Sequence, residues 1–407
     1  MNALIIAIYI CVYLSMLLGG IPGLKVDRTG AALLGAIILL AGRCLTEQQA
    51  LESIDVPTLA LLFGMMVISA QLRLGGFYGR ITNRIVNHNL SPSLLLASVI
   101  GFGGALSAFL TNDVVCLAVT PSLIQLCLRK KLNPVPFLIA LACAANIGSA
   151  ATLIGNPQNI LIGESLHLSF NGYLLIALPI CLLGLIVVWG VLVFQYQEQW
   201  SIESEPAADD GENAFSSWQT GKGLVVLTLL VLGFMLAPWP RELLALGAAG
   251  ILLFSRTFYS RNVMGLVDWP LLVLFISLFI VNQAFQLAGG MDWIMARTHA
   301  AGISLEDPGT LFLSTAILSN LVSNVPAIML LLPMTEGSEM GPLLAISSTL
   351  AGNFIIVGSV ANIIVVESAR LAGIKIDFRT HARVGVPVTI ITLSVAWIWL
   401  LLFDSIR

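Results

Sequence analysis

Apolar residues arrive along this chain in long blocks, near 3–20, 28–42, 56–72, 135–165, 172–194, 223–238, 241–256, 270–287, 343–367 and 385–403. Blocks of about 20 apolar residues predict membrane-crossing helices, whereas a transmembrane barrel would show ~10-residue alternating strands. Two further apolar blocks, 92–128 and 308–334, carry a polar interruption at the middle. The first reads SAFLTNDVVCLAVTP (Ser107–Pro121) and the second LSNLVSNVPAIMLLLP (Leu318–Pro333). Each predicts a re-entrant hairpin, two short helices meeting at a polar tip and leaving on the side they entered. The expected fold is therefore an all-α polytopic membrane protein with ten spans and two hairpins.

Two of the spans are themselves interrupted. Ala145–Ser165 contains Asn146, Ser149, Thr152, Asn156, Gln158 and Asn159, with Gly148, Gly155 and Pro157 among them. Lipid-exposed backbone at this depth must be helical, so a break is tolerable only where protein wraps it or a wet cavity lines it. Gly352–Ser368 (GNFIIVGSVANIIVVES) reads as a second copy. Asn146 aligns with Asn353, Gly155 with Gly358, Asn159 with Asn362, and Glu164-Ser165 with Glu367-Ser368.

The repetition extends over the whole chain. Asp55-x-Pro57 matches Asp268-x-Pro270, Gly75-Gly76 matches Gly289-Gly290, Thr111-Asn112 matches Ser323-Asn324, and Pro121 matches Pro333. Order and spacing are kept, with offsets near 213 that fall to 203 at Asn159/Asn362. Five spans in each half, an odd number, turn the second half upside down. This predicts an inverted-topology repeat: 1–194, then a cytoplasmic acidic linker 195–222, then 223–407. Discontinuous helices meet near the membrane middle, where such transporters place their sites.

Charge gives the sidedness. With the N-terminus outside, 15 Lys and Arg fall inside, against Arg43, Arg241, Arg297 and Arg407 outside, the bias that cytoplasmic loops carry. The C-terminus is then also expected outside. Both ends of 92–128 are basic (Arg73, Arg80, Arg84; Arg129, Lys130, Lys131), whereas Glu306, Asp307, Glu336 and Glu339 flank 308–334. Two full spans in place of each hairpin would give the same count, so charge does not decide depth. Composition agrees with the membrane class: of 407 residues 57% are hydrophobic and 10% charged, against about 25% charged in soluble domains. The first block lacks a basic leader and is expected to be retained. The six scattered cysteines and the absence of paired histidine ligands predict neither a disulfide framework nor a metal centre. His88, His167, His299 and His381 are all expected near segment ends.

The chemistry should lie at the breaks. Thr111-Asn112 and Ser323-Asn324 suit N-caps of the second hairpin arms, and Pro326 suits an early helical position. Asn156 before Pro157, and Ser359, suit caps of the second halves of the broken spans. Four helix N-termini would converge, each with free N–H groups and a partial positive charge, a ready anion site. Thr111, Asn112, Ser323, Asn324, Asn156, Pro157 and Ser359 are the expected substrate-binding residues. Asp113, Asn146, Gly148, Asn159, Asn353 and Asn362 are the expected ion-coupling residues. Asp113 is the only carboxylate at a break, and intramembrane carboxylates are functional candidates. Asp55 and Asp268 are expected to be interfacial N-caps, and Glu164 and Glu367 snorkelling helix ends.

At FLTNDVVCLAVTP (Phe109–Pro121), NIGSAATLIGNPQNILIG (Asn146–Gly163) and VSNVPAIMLLLP (Val322–Pro333) the chain resembles the ion transporter superfamily. That group includes citrate transporters, divalent anion:sodium symporters, arsenite permeases and some sodium/proton antiporters. The chain is most similar to a bacterial anion-permease branch carrying IGNPQN. The resemblance covers nearly the whole chain and implies an elevator-type movement, a homodimer in the cytoplasmic (inner) membrane and Na⁺ as a coupling ion. In the dicarboxylate branch, Ser-Asn-Thr motifs contact carboxylate and frame sodium. Here they read Thr111-Asn112-Asp113 and Ser323-Asn324-Val325, departing at the third residue in both halves. The expected function is secondary active transport of a small anion coupled to Na⁺ or H⁺. Arsenite or antimonite efflux and Na⁺/H⁺ antiport are the alternatives within transport. A passive channel is disfavoured because the polar residues do not form a continuous stripe. No nucleophile–base constellation supports an enzyme, and nothing suggests nucleic acid as a partner.

Overall fold

The computed structural model describes residues 3–87, 90–197, 199–201, 215–335 and 337–403. His88, Glu203, Glu205, Asp209, Asp210, Glu212, Glu336 and Arg407 lie outside the described residues. Among the described residues the chain is helical, with two isolated β-bridges and no strand.

The helices fall into two runs of ten in the same order. The first is α1 (Ala3–Leu18), α2 (Arg28–Ala41), α3 (Glu47–Ser53), α4 (Val56–Leu74), α5 (Phe77–Asn87), α6 (Pro92–Phe109), α7 (Asn112–Arg129), α8 (Pro134–Ser149), α9 (Pro157–Ser165) and α10 (Phe170–Gln195). The second is α11 (Ser217–Leu236), α12 (Arg241–Leu253), α13 (Ser260–Met264), α14 (Trp269–Leu287), α15 (Gly290–Ala300), α16 (Pro308–Val322), α17 (Asn324–Leu331), α18 (Gly341–Ala351), α19 (Val360–Leu371) and α20 (Phe378–Leu402). Matching positions use matching devices. Asp55 accepts the Thr58 amide at 3.0 Å and Asp268 the Leu271 amide at 3.0 Å, so both are N-caps as expected. Gly76 and Gly289, 213 residues apart and so one position off the Gly75-Gly76/Gly289-Gly290 match read from the sequence, turn the chain with φ of 74° and 76°, a conformation that costs a residue with a Cβ but not glycine.

The two runs are interlaced. α2 packs on α14 and α12 on α4, while α1 touches α14 and α11 touches α4. An exchange in which each half gives the other the same contact marks a two-fold relation. Among the described residues six helices (α4, α6, α10, α11, α14 and α20) are long and apolar enough to cross a membrane.

Some boundaries differ from the sequence expectation. α6 and α7 have 18 residues each, about 27 Å, so the first hairpin is not built of short arms. The second has arms of 15 and 8 residues. α11 starts at Ser217, inside the stretch assigned to the linker. α20 begins at Phe378 rather than 385, because Asp377 caps it by accepting the Thr380 amide at 2.7 Å. His381 lies in the first turn of this helix, near a segment end as expected, and is buried.

Candidate functional site

Both interrupted spans break where the sequence placed the breaks. α8 rises about 24 Å and α9 about 13 Å, and α18 and α19 about 16 and 18 Å, from 16, 9, 11 and 12 residues. Between the pieces the backbone turns out of helix, and its freed carbonyls are taken up by the asparagine that follows. Asn159 Nδ2 donates to Ser149 O (3.3 Å) and Thr152 O (3.0 Å). Asn362 Nδ2 donates to Gly352 O (2.8 Å) and Ile355 O (3.2 Å). All three residues are shifted by 203 between the halves. Tyr173 donates to Ala150 O at 2.8 Å, and His381 Nε2 bonds Asn353 O, the equivalent carbonyl, at 3.2 Å. Satisfying buried carbonyls in this way is what lets a helix break inside a membrane protein.

This register corrects one sequence alignment. A constant shift of 203 puts Thr349, not Asn353, opposite Asn146, and it puts Asn353 opposite Ala150. The hydrogen bonds agree. Asn146 Oδ1 accepts from Ser359 (2.9 Å) and its Nδ2 donates to Asn362 Oδ1 (3.1 Å). Thr349 Oγ1 accepts from Asn156 (3.2 Å) and donates to Asn159 Oδ1 (3.3 Å). Each half's first broken piece thus grips the second piece of the other half. Asn146 also accepts from Asn112 Nδ2 and donates to Asn353 Oδ1, both at 2.9 Å. Four polar contacts converge on this one buried side chain.

The hairpin tips reach the same place. Asn112 N–H donates to Gly155 O at 3.1 Å. With its amide oriented to suit its neighbours, Asn324 donates to Gly358 O and Ser348 O and accepts from Gln158, each at 3.2 Å. The N-termini of α7 and α19 thus meet through Asn146, and those of α9 and α17 through Gln158. Asn156 and Ser359 are caps as expected, accepting the Asn159 and Ala361 amides at 2.9 and 3.3 Å. Pro157 opens α9, where its missing N–H costs nothing.

Two expectations fail in detail. Thr111 and Ser323 occupy the N-cap positions but neither side chain bonds the helix, since the asparagines beside them carry the polar contacts. Gly148 is not at the crossing of the breaks. It lies where α8 crosses α6, where an added Cβ would overlap the Gly104 backbone, and its carbonyl is taken by the Ala151 amide at 3.0 Å. Asp113 is half-buried in the first turn of α7.

Ser323 holds φ 76° and ψ 157°, a region in which a residue with a Cβ is strained by about 1–3 kcal/mol. Ser323→Gly is therefore expected to raise stability by about 1 kcal/mol, read as a higher melting temperature in detergent. A lower one would mean that the serine side chain outweighs the strain.

Residues missed in the sequence include Thr349, Ser107 and Ser319. Ser347-Ser348-Thr349 is a polar run inside a span, and that signal was available. Ser107 and Ser319 are 212 apart, like Asn112 and Asn324, and end α6 and α16. Both hydroxyls are buried without a hydrogen-bond partner, as are Asn112 Oδ1, Asn320 Oδ1 and Asn353 Nδ2. Among the described residues no group of three or more His, Cys, Asp or Glu could hold a metal ion, and no Lys or Arg is among the fully buried side chains.

The sequence pattern of one family, described as citrate transporter, matches residues 9–343. A 46 kDa membrane protein of Mycobacterium leprae is 30% identical over 410 residues, covering 92% of this chain and 94% of that one. A silicon efflux transporter of Oryza sativa subsp. japonica is 28% identical over 457 residues and 92% of each chain. The crystal structure of the YdaH transporter of Alcanivorax borkumensis, described as having an unusual topology, shares the fold with a TM-score of 0.57, 15% identity and coverage of 98% of this chain and 96% of that one. With the family pattern spanning most of its length, the chain belongs to the citrate transporter family and is a multi-pass membrane transporter, not an enzyme.

Proposed function

We propose that the protein is a secondary active transporter that moves a small anion through the crossing of the two breaks, coupled to Na⁺ or H⁺, by an elevator-type exchange of access. The observation that carries this reading is the set of polar atoms left unpartnered there. Buried polar atoms are nearly always paired, and one left single costs about 1–3 kcal/mol. Ser107 Oγ, Ser319 Oγ and Asn112 Oδ1 are oxygens of the kind a sodium ion takes, next to carbonyl ends of α6 and α16. Asn353 Nδ2 is a free donor, and the first turns of α7, α9, α17 and α19 supply amides for an anion. We assign the coupling role to Asp113, as a proton or sodium carrier.

The family description makes citrate the first anion to try. The test is uptake of labelled citrate and other small carboxylates into proteoliposomes under an imposed Na⁺ or pH gradient. Accumulation should follow the gradient. Asn112→Ala and Asn324→Ala should each lower it at least about tenfold, the loss expected for a hydrogen bond of about 1.5 kcal/mol to an ion. Unchanged uptake in both variants would rule this site out. A second reading is export of a small uncharged oxyacid. It is favoured by the name of the Oryza sativa relative and by the absence of a basic side chain at the crossing. Release of silicic acid or arsenite from loaded vesicles, without any response to carboxylates, would select it.

A further inference from the structure

The far end of α9 is fastened to the other half of the protein. Glu164 pairs with Arg241 at 3.0 Å, the two side chains only 9% and 15% exposed. Arg241 also donates to Gly163 O at 3.0 Å, and Ser165 donates to Asp55 at 3.2 Å. Glu164 is thus a half-buried ion-pair partner, not the free snorkelling end expected from the sequence. α9 packs on α4, the helix that Asp55 caps.

The repeat supplies the same four residues at the opposite end. Arg28 and Asp268 stand 213 residues from Arg241 and Asp55, and Glu367 and Ser368 stand 203 from Glu164 and Ser165. There the fastening is undone. Glu367 binds Arg370 of its own helix at 2.6 and 2.8 Å, with 52% and 68% of the side chains exposed. The Arg28 side chain has no hydrogen bond or ion pair among the described residues, and its Nε is buried. No packing like that of α9 on α4 joins α19 to α14. Arg28 and Arg241 each open a helix, at the end where the dipole disfavours a cation. A half-buried arginine at that end is a costly placement unless a carboxylate pairs with it; Arg241 has Glu164, and Arg28 has no such partner among the described residues.

We propose that Glu164–Arg241 and Glu367–Arg28 are the two alternating catches of the transport cycle, one closed in this conformation and the other closing when access is exchanged. Asn146–Asn362 ties α8 to α19 and Thr349–Asn159 ties α18 to α9, and α8 packs on α18, so the four pieces move as one and drawing α19 onto α14 pulls α9 away from α4. Ser368 and Asp268 then take the places that Ser165 and Asp55 hold now. By the charge distribution the Arg28 end faces the cytoplasm, so the closed catch is the outer one. This inference rests on alternating access, but its test needs no substrate.

The test is disulfide trapping in native membranes. Exposed Cys11 and half-buried Cys44 are replaced by serine, which leaves four buried thiols. A protease site placed within 202–214 separates the halves unless a disulfide joins them. Arg28→Cys with Glu367→Cys should link under copper phenanthroline, although these residues are unpaired here. Adding Arg241→Gln should speed that linking about fivefold or more, the effect of losing an interaction of about 1 kcal/mol, and Arg241→Lys should not. The proposal is overturned if Glu164→Cys with Arg241→Cys links while the 28/367 pair never does, or if Arg241→Gln leaves the 28/367 rate unchanged. Linking can fail in a protein that transports, or succeed in one that moves no tested solute, so the two readings fail separately.

Discussion

Replacing Asn146 by alanine should cost about 4 kcal/mol or more, among the largest losses that a single polar truncation produces. The side chain makes four hydrogen bonds, to Asn112, Ser359, Asn353 and Asn362. Removing it strands one donor each on Asn112 and Ser359 and one acceptor each on Asn353 and Asn362. All four residues are buried, so water reaches the stranded groups poorly, and each orphan costs about 1–3 kcal/mol. The melting temperature in detergent should fall by at least about 8 °C, and transport should be lost with it. Thr349→Ala is the internal comparison. Thr349 stands at the equivalent position but works through one hydroxyl, so its loss should be clearly smaller. Equal, small losses in both variants would mean that the crossing is not held by Asn146.

Gly148→Ala should be worse for folding, by a different route. The space beside Gly148 is filled by the backbone of Gly104, so an added methyl meets main chain and not a side chain that can swing away. Close helix approach through small residues is how membrane helices pack. Overpacking already costs about 1–3 kcal/mol where side chains can adjust, and here α6 must leave α8. Little monodisperse protein should be recovered after extraction. The control lies on the same helix as Gly104: an added Cβ on Gly101 meets nothing within 4 Å, so Gly101→Ala should be recovered like the parent. Gly104→Ala should be milder than Gly148→Ala, because its methyl meets the movable end of the Leu185 side chain and not main chain. Full recovery of Gly148→Ala would show that the crossing is looser than its geometry implies.

Much of this was legible in the chain because membrane helices have few ways to hide a polar group. Asn112, Asn324, Asn156 and Asn159 stood out as amides inside apolar blocks, and the structure brings them to one crossing. Asp55 and Asp268 were readable as caps from Asp-x-Pro alone. What could not be read was register. Asn353 matches Asn146 by residue type, but the turn geometry sets the shift at 203 and puts a threonine there instead. Hydrogen-bond equivalence tolerates a change from amide to hydroxyl, and residue matching does not see it. Gly148 looked like part of a break because glycine ends helices, but a glycine at a helix crossing carries the same letter. The start of α20 was misplaced because the helix begins seven residues before its apolar stretch does. Glu164 and Glu367 look identical in sequence, and only the fold shows that one is paired across the halves and the other along its own helix.

The central claim is that the crossing of the two broken helices binds the transported ion. Thermal shift of the purified protein tests it most directly, with citrate and a panel of small carboxylates, silicic acid and arsenite, each with and without Na⁺. The account predicts that at least one solute raises the melting temperature of the parent protein and fails to do so in Asn112→Ala combined with Asn324→Ala, although that variant still gives a single cooperative transition. The same shift in parent and variant would place binding elsewhere and contradict it.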